Sequence, residues 1–125
     1  MPKSFAVNWK DGAWTERFDF KGHKAYRKYL NEGKDGTPEL FMIKWEPGVV
    51  LGAHSHDKWE LIFVVEGEMW VGEKRCPAGT FVYNNKDVTY GPLRAGPEGV
   101  VYFNLRPTKA DLESKGGEQV NLKKV

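Results

Sequence analysis

Val, Ile, Phe, Trp and Tyr come in short clusters along this chain, and Gly, Pro, Asn and Asp separate the clusters. Runs of that length bounded by turn formers are the pattern of strands rather than helices. Strands are predicted at Glu39 to Glu46, Trp59 to Glu66, Glu68 to Val71, Thr80 to Tyr83 and Val100 to Leu105. Breaks are expected at Pro47-Gly48, Pro77-Ala-Gly79, Asn84-Asn-Lys-Asp87 and Gly96-Pro-Glu-Gly99, and a tight hairpin at Glu66-Gly67. Residues 1–38 mix aromatics with charge and read as one or two outer strands plus an arm, with a turn at Asn31-Glu-Gly-Lys-Asp-Gly36. Residues 39–106 form the expected core. Residues 107–125 are a polar tail in which Thr108 and Asp111 suit the cap of a short helix ending at Gly116-Gly117. Many short strands in one small domain predict an all-β sandwich or jelly roll.

Strand parity then sorts the side chains, because alternate residues face opposite sides of a sheet. If Glu60 points inward, so do Ile62 and Val64, while Leu61, Phe63 and Val65 face outward. Phe41, Ile43 and Trp45 share one face of the preceding strand, and Tyr102 and Asn104 alternate with Phe103 in the last. Phe41, Ile43, Trp45, Ile62, Tyr83, Tyr102 and Asn104 are the candidate pocket walls, with core packing as the competing role.

The chemistry concentrates in Gly48-Val-Val-Leu-Gly-Ala-His54-Ser-His56-Asp-Lys-Trp-Glu60, which leads into Leu-Ile-Phe-Val-Val-Glu-Gly67. In an extended segment His54, His56 and Glu60 share parity and therefore a face. Two imidazoles and a carboxylate together form an open site suited to Fe(II), Mn(II), Ni(II), Zn(II) or Cu(II). The competing roles are a pair of solvated loop histidines beside a salt-bridging Glu, or a motif that survives as scaffold after loss of its metal. Trp59, between them, covers either the mouth or an outer face. His23 lies in a charged, loop-like stretch and is expected to be exposed, with a minor claim as a substitute ligand.

Composition narrows the field. The chain has 125 residues, enough for one domain, and 19 basic against 17 acidic residues. With a net charge of +2 and no basic stripe, nucleic acid is not the expected partner. No apolar run is long enough to span a bilayer, and the first residues lack the apolar core of a signal peptide. The lone Cys76 forms no internal disulfide and fits a reducing, cytoplasmic setting as a packed small hydrophobe. Aromatics at 14% favour an apolar or aromatic small ligand, and there is no Gly-rich phosphate cradle. Exposed aromatics around the arm, Trp9 and Trp14 among them, suit a homodimer that covers an open sheet edge.

The run from Gly48 to Gly67 resembles the first motif of the cupin superfamily, in which Gly, His, His, Glu and Gly recur at these spacings. Pro77-Ala-Gly79-Thr-Phe-Val-Tyr83 resembles the start of the second motif. Where cupins place a third histidine, this chain has Tyr90, and no histidine follows His56. The resemblance covers roughly residues 39–106. It implies a double-stranded β-helix, the cupin jelly-roll barrel, with one divalent metal, most readily Fe(II), on His54, His56 and Glu60. Ala78-Gly-Thr-Phe-Val-Tyr and Glu98-Gly-Val-Val-Tyr-Phe103 are similar to the branch holding ChrR-type cupins and the dihydroxyacetophenone and acetylacetone dioxygenases.

Tyr90 then has three open roles: a fourth ligand as phenolate, an uncoordinated acid or hydrogen-bond donor beside the metal, or a wall residue. Three functions follow. The first is an Fe(II) dioxygenase acting on a keto or hydroxy substrate, with Tyr90 as the catalytic donor. The second is a non-redox metal-dependent isomerase, decarboxylase or lyase. The third is a metal- or ligand-binding module without turnover.

Overall fold

The computed structural model describes residues 4–109, and among them every regular element is a strand. In chain order these are β1 (Thr15–Phe20), β2 (His23–Glu32), β3 (Glu39–Trp45), β4 (Val50–Leu51), β5 (Glu60–Val71), β6 (Lys74–Pro77), β7 (Phe81–Asn84) and β8 (Leu93–Arg106). All pair antiparallel, in the order β1-β2-β3-β8-β5-β6, with β4 added to β8 and β7 to β5. The all-β jelly-roll reading of the sequence holds.

β5 and β8 tie the two halves of the barrel together, because each changes partners along its length. The first half of β8 pairs with β4 and the end of β5, and its second half pairs with β3 and the start of β5. The sequence reading is corrected here in two places. Glu66-Gly67 is not a hairpin, and Gly96-Pro-Glu-Gly99 is not a break; both lie inside continuous strands. The register slips on either side of Gly67, which has φ +72°. A Cβ at Gly67 would sit 2.2 Å from the Gly99 carbonyl oxygen. Glycine therefore serves here as a bulge that lets two backbones touch, not as a turn. The real reversal after β5 is Gly72-Glu73, which brings Val71 opposite Lys74 in β6.

The arm is corrected as well. Trp9 and Trp14 are half-buried against their own sheet. The Trp9 carbonyl accepts a hydrogen bond from Lys28 Nζ at 2.8 Å, and Lys28 and Lys44 lie over the Trp14 ring at 4.6 and 4.8 Å. The most exposed aromatics lie on the outer face of β7, although Phe5 of the arm is also exposed. Phe81 and Tyr83 are 65% and 59% exposed, and Phe63 contacts both Phe81 and Phe103. Outward Leu61, Phe63 and Val65 and inward Ile62 and Val64 follow the expected parity. Ile62 is fully buried in the core and Tyr83 faces outward, so neither lines the pocket. Thr108 donates to the Gly33 carbonyl at 3.1 Å, which ties the end of the barrel to the turn after β2. The short helix expected beyond it falls outside the described residues.

Replacing Gly67 with Val is expected to cost more than about 2 kcal/mol, since it adds a positive-φ side chain and a backbone clash together. Urea unfolding of the variant measures this; a loss below about 0.5 kcal/mol would show that the crossing tolerates a side chain.

Candidate functional site

The loop carrying His54 and His56 is held against the loop carrying Tyr90 by backbone pairing. His54 and Tyr90 exchange both N–H to C=O bonds, at 3.1 and 2.9 Å, and Asp87 N–H donates to the His56 carbonyl at 2.7 Å. Paired residues of this kind hold their side chains side by side. The ring centroids accordingly lie 4.8 Å apart for His54 and Tyr90 and 4.9 Å apart for the two histidines. Sequence reasoning brought these three residues together correctly. His23 is elsewhere, at the start of β2 with its ring packed on Gly48.

Hydrogen bonds set the tautomers. His54 Nδ1 lies 2.8 Å from the Gly52 carbonyl oxygen, which only accepts, so Nδ1 carries the proton and Nε2 the lone pair. His56 Nε2 lies 3.3 Å from Arg106 Nη2, which only donates, so this Nε2 is an acceptor.

Glu60 opens β5 at 1% exposure, and its charge is met by side chains from two strands and a loop. Arg106 Nε and Asn104 Nδ2, both from β8, donate to Oε1 at 3.2 Å each. Asn84 Nδ2, at the end of β7, donates to Oε2 at 3.3 Å, and the Tyr90 hydroxyl donates to the same oxygen. Arg106 reaches on through Nη1 to Glu39 Oε1 at 3.1 Å, and the Tyr29 hydroxyl donates to Glu39 Oε2 at 2.9 Å. Burial alone pushes the Glu60 carboxyl up, but Arg106 and the hydrogen bonds from Tyr90 and Asn104 outweigh it and hold the group below its ordinary value. Burial and the adjacent Glu60 charge push the Tyr90 phenol well above its usual value, so Tyr90 is a neutral donor. Arg106, Asn84, Glu39 and Tyr29 were missed in the sequence. Arg106 and Glu39 lie in register with the inward residues already picked out.

These contacts decide whether the residues suit a metal ion. His54 does, since it keeps an Nε2 lone pair and is oriented by a carbonyl in the way metal-binding histidines are, but the His56 Nε2 lone pair already accepts from Arg106. The third donor does not. Both oxygens of Glu60 are taken, and the Arg106 guanidinium joins Glu60 to His56 Nε2, where a shared cation would lie. At an effective dielectric constant of about 20, a dication about 4 Å from a guanidinium is repelled by about 8 kcal/mol. The Glu60 charge that would offset this is already shared. Among the described residues no group of three His, Cys, Asp or Glu side chains is disposed to hold a metal. As arranged, the set does not fit a resident metal ion.

The histidines, Tyr90 and Arg106 open onto a cavity of about 50 Å³. Phe41, Ile43, Trp45, Tyr102 and Asn104 line it, as parity predicted, and Glu60 is not on its wall.

The Glu60 cluster makes a signed prediction about acid. A carboxyl held below its unfolded value of about 4.3 stabilises the fold fully above that pH, and the contribution is lost as pH falls through the lower folded value. Arg106→Met leaves Glu60 buried and unpaired, which is expected to cost about 3–5 kcal/mol at pH 7. Burial then raises the folded pKa, so the deficit shrinks as pH falls from 7 to 4. Urea midpoints across that range check this, and a deficit that stays constant with pH would refute it. Tyr90→Phe is expected to cost less, about 1–3 kcal/mol.

No characterised protein matches the sequence significantly, but solved structures share the fold. The polyketide cyclase RemF from Streptomyces resistomycificus matches with a TM-score of 0.71 at 17% identity, over 87% of this chain and 82% of that one. A candidate acetylacetone dioxygenase from Methylibium petroleiphilum PM1 matches at 0.69 and 15% identity, over 85% and 78%. A chain from the complex of Rhodobacter sphaeroides SigE with the anti-sigma ChrR matches at 0.64 and 16% identity, over 79% of this chain and 50% of that one. This chain thus spans about half the length of that partner of comparison. At these identities the likeness is one of fold. The sequence profile of the ChrR Cupin-like domain matches residues 2–108, and the chain belongs to that cupin family.

Proposed function

We propose that this chain is a ligand-binding cupin that takes a small organic molecule in the histidine–tyrosine cavity without a resident metal. The observation that carries this reading is Arg106, whose guanidinium sits between Glu60 and His56 and supplies the positive charge that a metal would otherwise bring. His54 and Asn104 offer polar groups to a ligand, the aromatic and aliphatic walls enclose its body, and Tyr90 is held neutral against Glu60. Such a site suits a ligand-sensing domain and equally suits proton-transfer chemistry that uses the imidazole of His54. The cytoplasmic setting inferred from the unbridged Cys76 belongs to the same reading.

The test is metal content. Protein expressed in metal-replete medium is expected to hold less than about 0.1 iron, zinc, manganese, nickel or copper per chain. Added Zn(II) or Fe(II) is expected to leave its melting temperature unchanged. Stoichiometric metal, with a fall in melting temperature on chelation, would overturn the reading.

The orientation of His54 by the Gly52 carbonyl favours a second reading, the Fe(II) dioxygenase expected from the sequence, with His54, His56 and Glu60 as ligands after Arg106 withdraws. Ferrous protein that consumes O₂ with a diketone or a phenolic ketone would establish it.

The homodimer is retained in this proposal, with the aromatic face of Phe63, Phe81 and Phe103 as the contact instead of the arm. Sedimentation is expected to give a dimer for the wild type and a monomer for Phe81→Glu; a wild-type monomer at about 100 μM would rule the contact out.

A further inference from the structure

The outer strands of the sheet are not alike. Of the strands longer than two residues, β1, β6 and β7 pair on one side only among the described residues. β1 carries Glu16, Arg17 and Asp19, and β6 carries Lys74 and Arg75 beside Pro77. Charge and proline on an edge keep another strand from adding to it. β7 has neither. From Ala78 to Asn85 the chain holds no charged residue and no proline, and Phe81 and Tyr83 stand exposed on its outer face.

Register fixes which backbone groups of β7 are free. Val64 N–H donates to the Thr80 carbonyl at 2.9 Å, and Ile62 pairs with Val82 and Glu60 with Asn84. Residues 80, 82 and 84 therefore turn their N–H and C=O groups toward β5, because these directions alternate along an antiparallel strand. Phe81 and Tyr83 turn theirs away from β5, where they meet no backbone partner among the described residues.

This edge complements itself. About a two-fold axis through Val82, Phe81 of one copy faces Tyr83 of the other. Each such pair exchanges both N–H to C=O bonds, so four bonds use every free group of the two edges. Val82 faces its own counterpart at the axis, in the position without hydrogen bonds. An axis through Phe81 would call on Gly79, whose N–H already donates to the Val64 carbonyl at 2.8 Å. An axis through Tyr83 would call on Asn85, whose carbonyl already accepts from Val88 at 3.4 Å. With the axis at Val82, Lys86 and Asp87 fall opposite Ala78 and Pro77, and no like charges meet. On the outer face Phe103, Phe63 and Phe81 lie side by side in register, and the pairing continues that row into Tyr83 and Leu61 of the second copy.

The contact is small. At 65% and 59% exposure, Phe81 and Tyr83 together present about 200–300 Å² per copy, against about 800 Å² per partner in a standard interface. Such an area gives a reversible dimer rather than a permanent one.

We propose that two copies of this chain join edge to edge through β7, which continues one antiparallel sheet across a two-fold axis at Val82. This rests on the homodimer reading above and adds the atoms that join it, the backbone groups of Phe81 and Tyr83.

The experiment is amide hydrogen exchange of the full wild-type chain, read residue by residue by NMR at about 500 and about 50 μM. The Phe81 and Tyr83 amides are expected to exchange about tenfold or more slowly at the higher concentration. The Val82 amide, bonded to β5, is expected to be protected alike at both. Tyr83→Pro removes a donor that the monomer does not use, and an edge strand tolerates the ring. It is expected to sediment as a monomer with an unchanged circular dichroism spectrum. Tyr83→Val keeps the N–H and is expected to remain a dimer, weakened several-fold.

A wild-type monomer at both concentrations would overturn the homodimer reading and this inference together. A dimer whose Phe81 and Tyr83 amides exchange freely would overturn the edge pairing alone, as would a Tyr83→Pro variant that still dimerises. Equal protection of those amides at both concentrations would mean that the chain covers its own edge, and would also overturn the pairing. Loss of the dimer in Tyr83→Val as complete as in Tyr83→Pro would assign the contact to the ring instead of the backbone.

Discussion

A carboxylate sealed from water has to be neutralised where it sits, and Glu60 is sealed. Transfer of an unpaired carboxylate into a protein interior costs several kcal/mol even after relaxation. The barrel meets that cost by drawing donors from β7, β8 and the Tyr90 loop onto two oxygens. The same contacts fix where those elements stand. Arg106 can reach Glu60, Glu39 and His56 together only because β8 lies between β3 and β5. The site and the sheet order are therefore one constraint.

That constraint reverses the electrostatics expected of the motif. Two histidines and a glutamate in an otherwise neutral pocket attract a cation. The same three with a guanidinium between them are already compensated. A neutral Tyr90 where the family usually places histidine fits this arrangement. Its hydroxyl donates to Glu60 and shares the negative charge with Arg106, a role that an imidazole bound to a metal through its lone pair would not fill. Of the roles open to Tyr90 from sequence, hydrogen-bond donor is the one its contacts support, though its partner is a carboxylate rather than a metal-bound ligand.

Much of the fold was legible because it rests on local signals. Parity within β3, β5 and β8 sorted inward from outward residues, and the end of β3 followed, within one residue, from Pro47-Gly48. The errors share a physical cause. Glycine marks both turns and close backbone approaches, and only the tertiary partner distinguishes them. Gly67 meets Gly99 across the barrel, more than thirty residues away in sequence, and no local pattern reports that contact. Trp9 and Trp14 read as free aromatics because the lysines they cover, Lys28 and Lys44, belong to later strands.

The missing part of the site was nearer to hand. The alternation Tyr102, Asn104 continues to Arg106, and the alternation Phe41, Ile43, Trp45 begins at Glu39. Glu39 and Arg106 are direct cross-strand partners, with Phe41 opposite Asn104 and Ile43 opposite Tyr102. An inward arginine at the end of a buried strand demands a carboxylate, and an inward glutamate at the start of its neighbour demands a cation. Carried to the strand ends, parity places an ion pair at the mouth of the barrel beside Glu60. A metal motif read without the opposite wall counts ligands but not the charges that compete for them, and here the competing charge belongs to the chain itself.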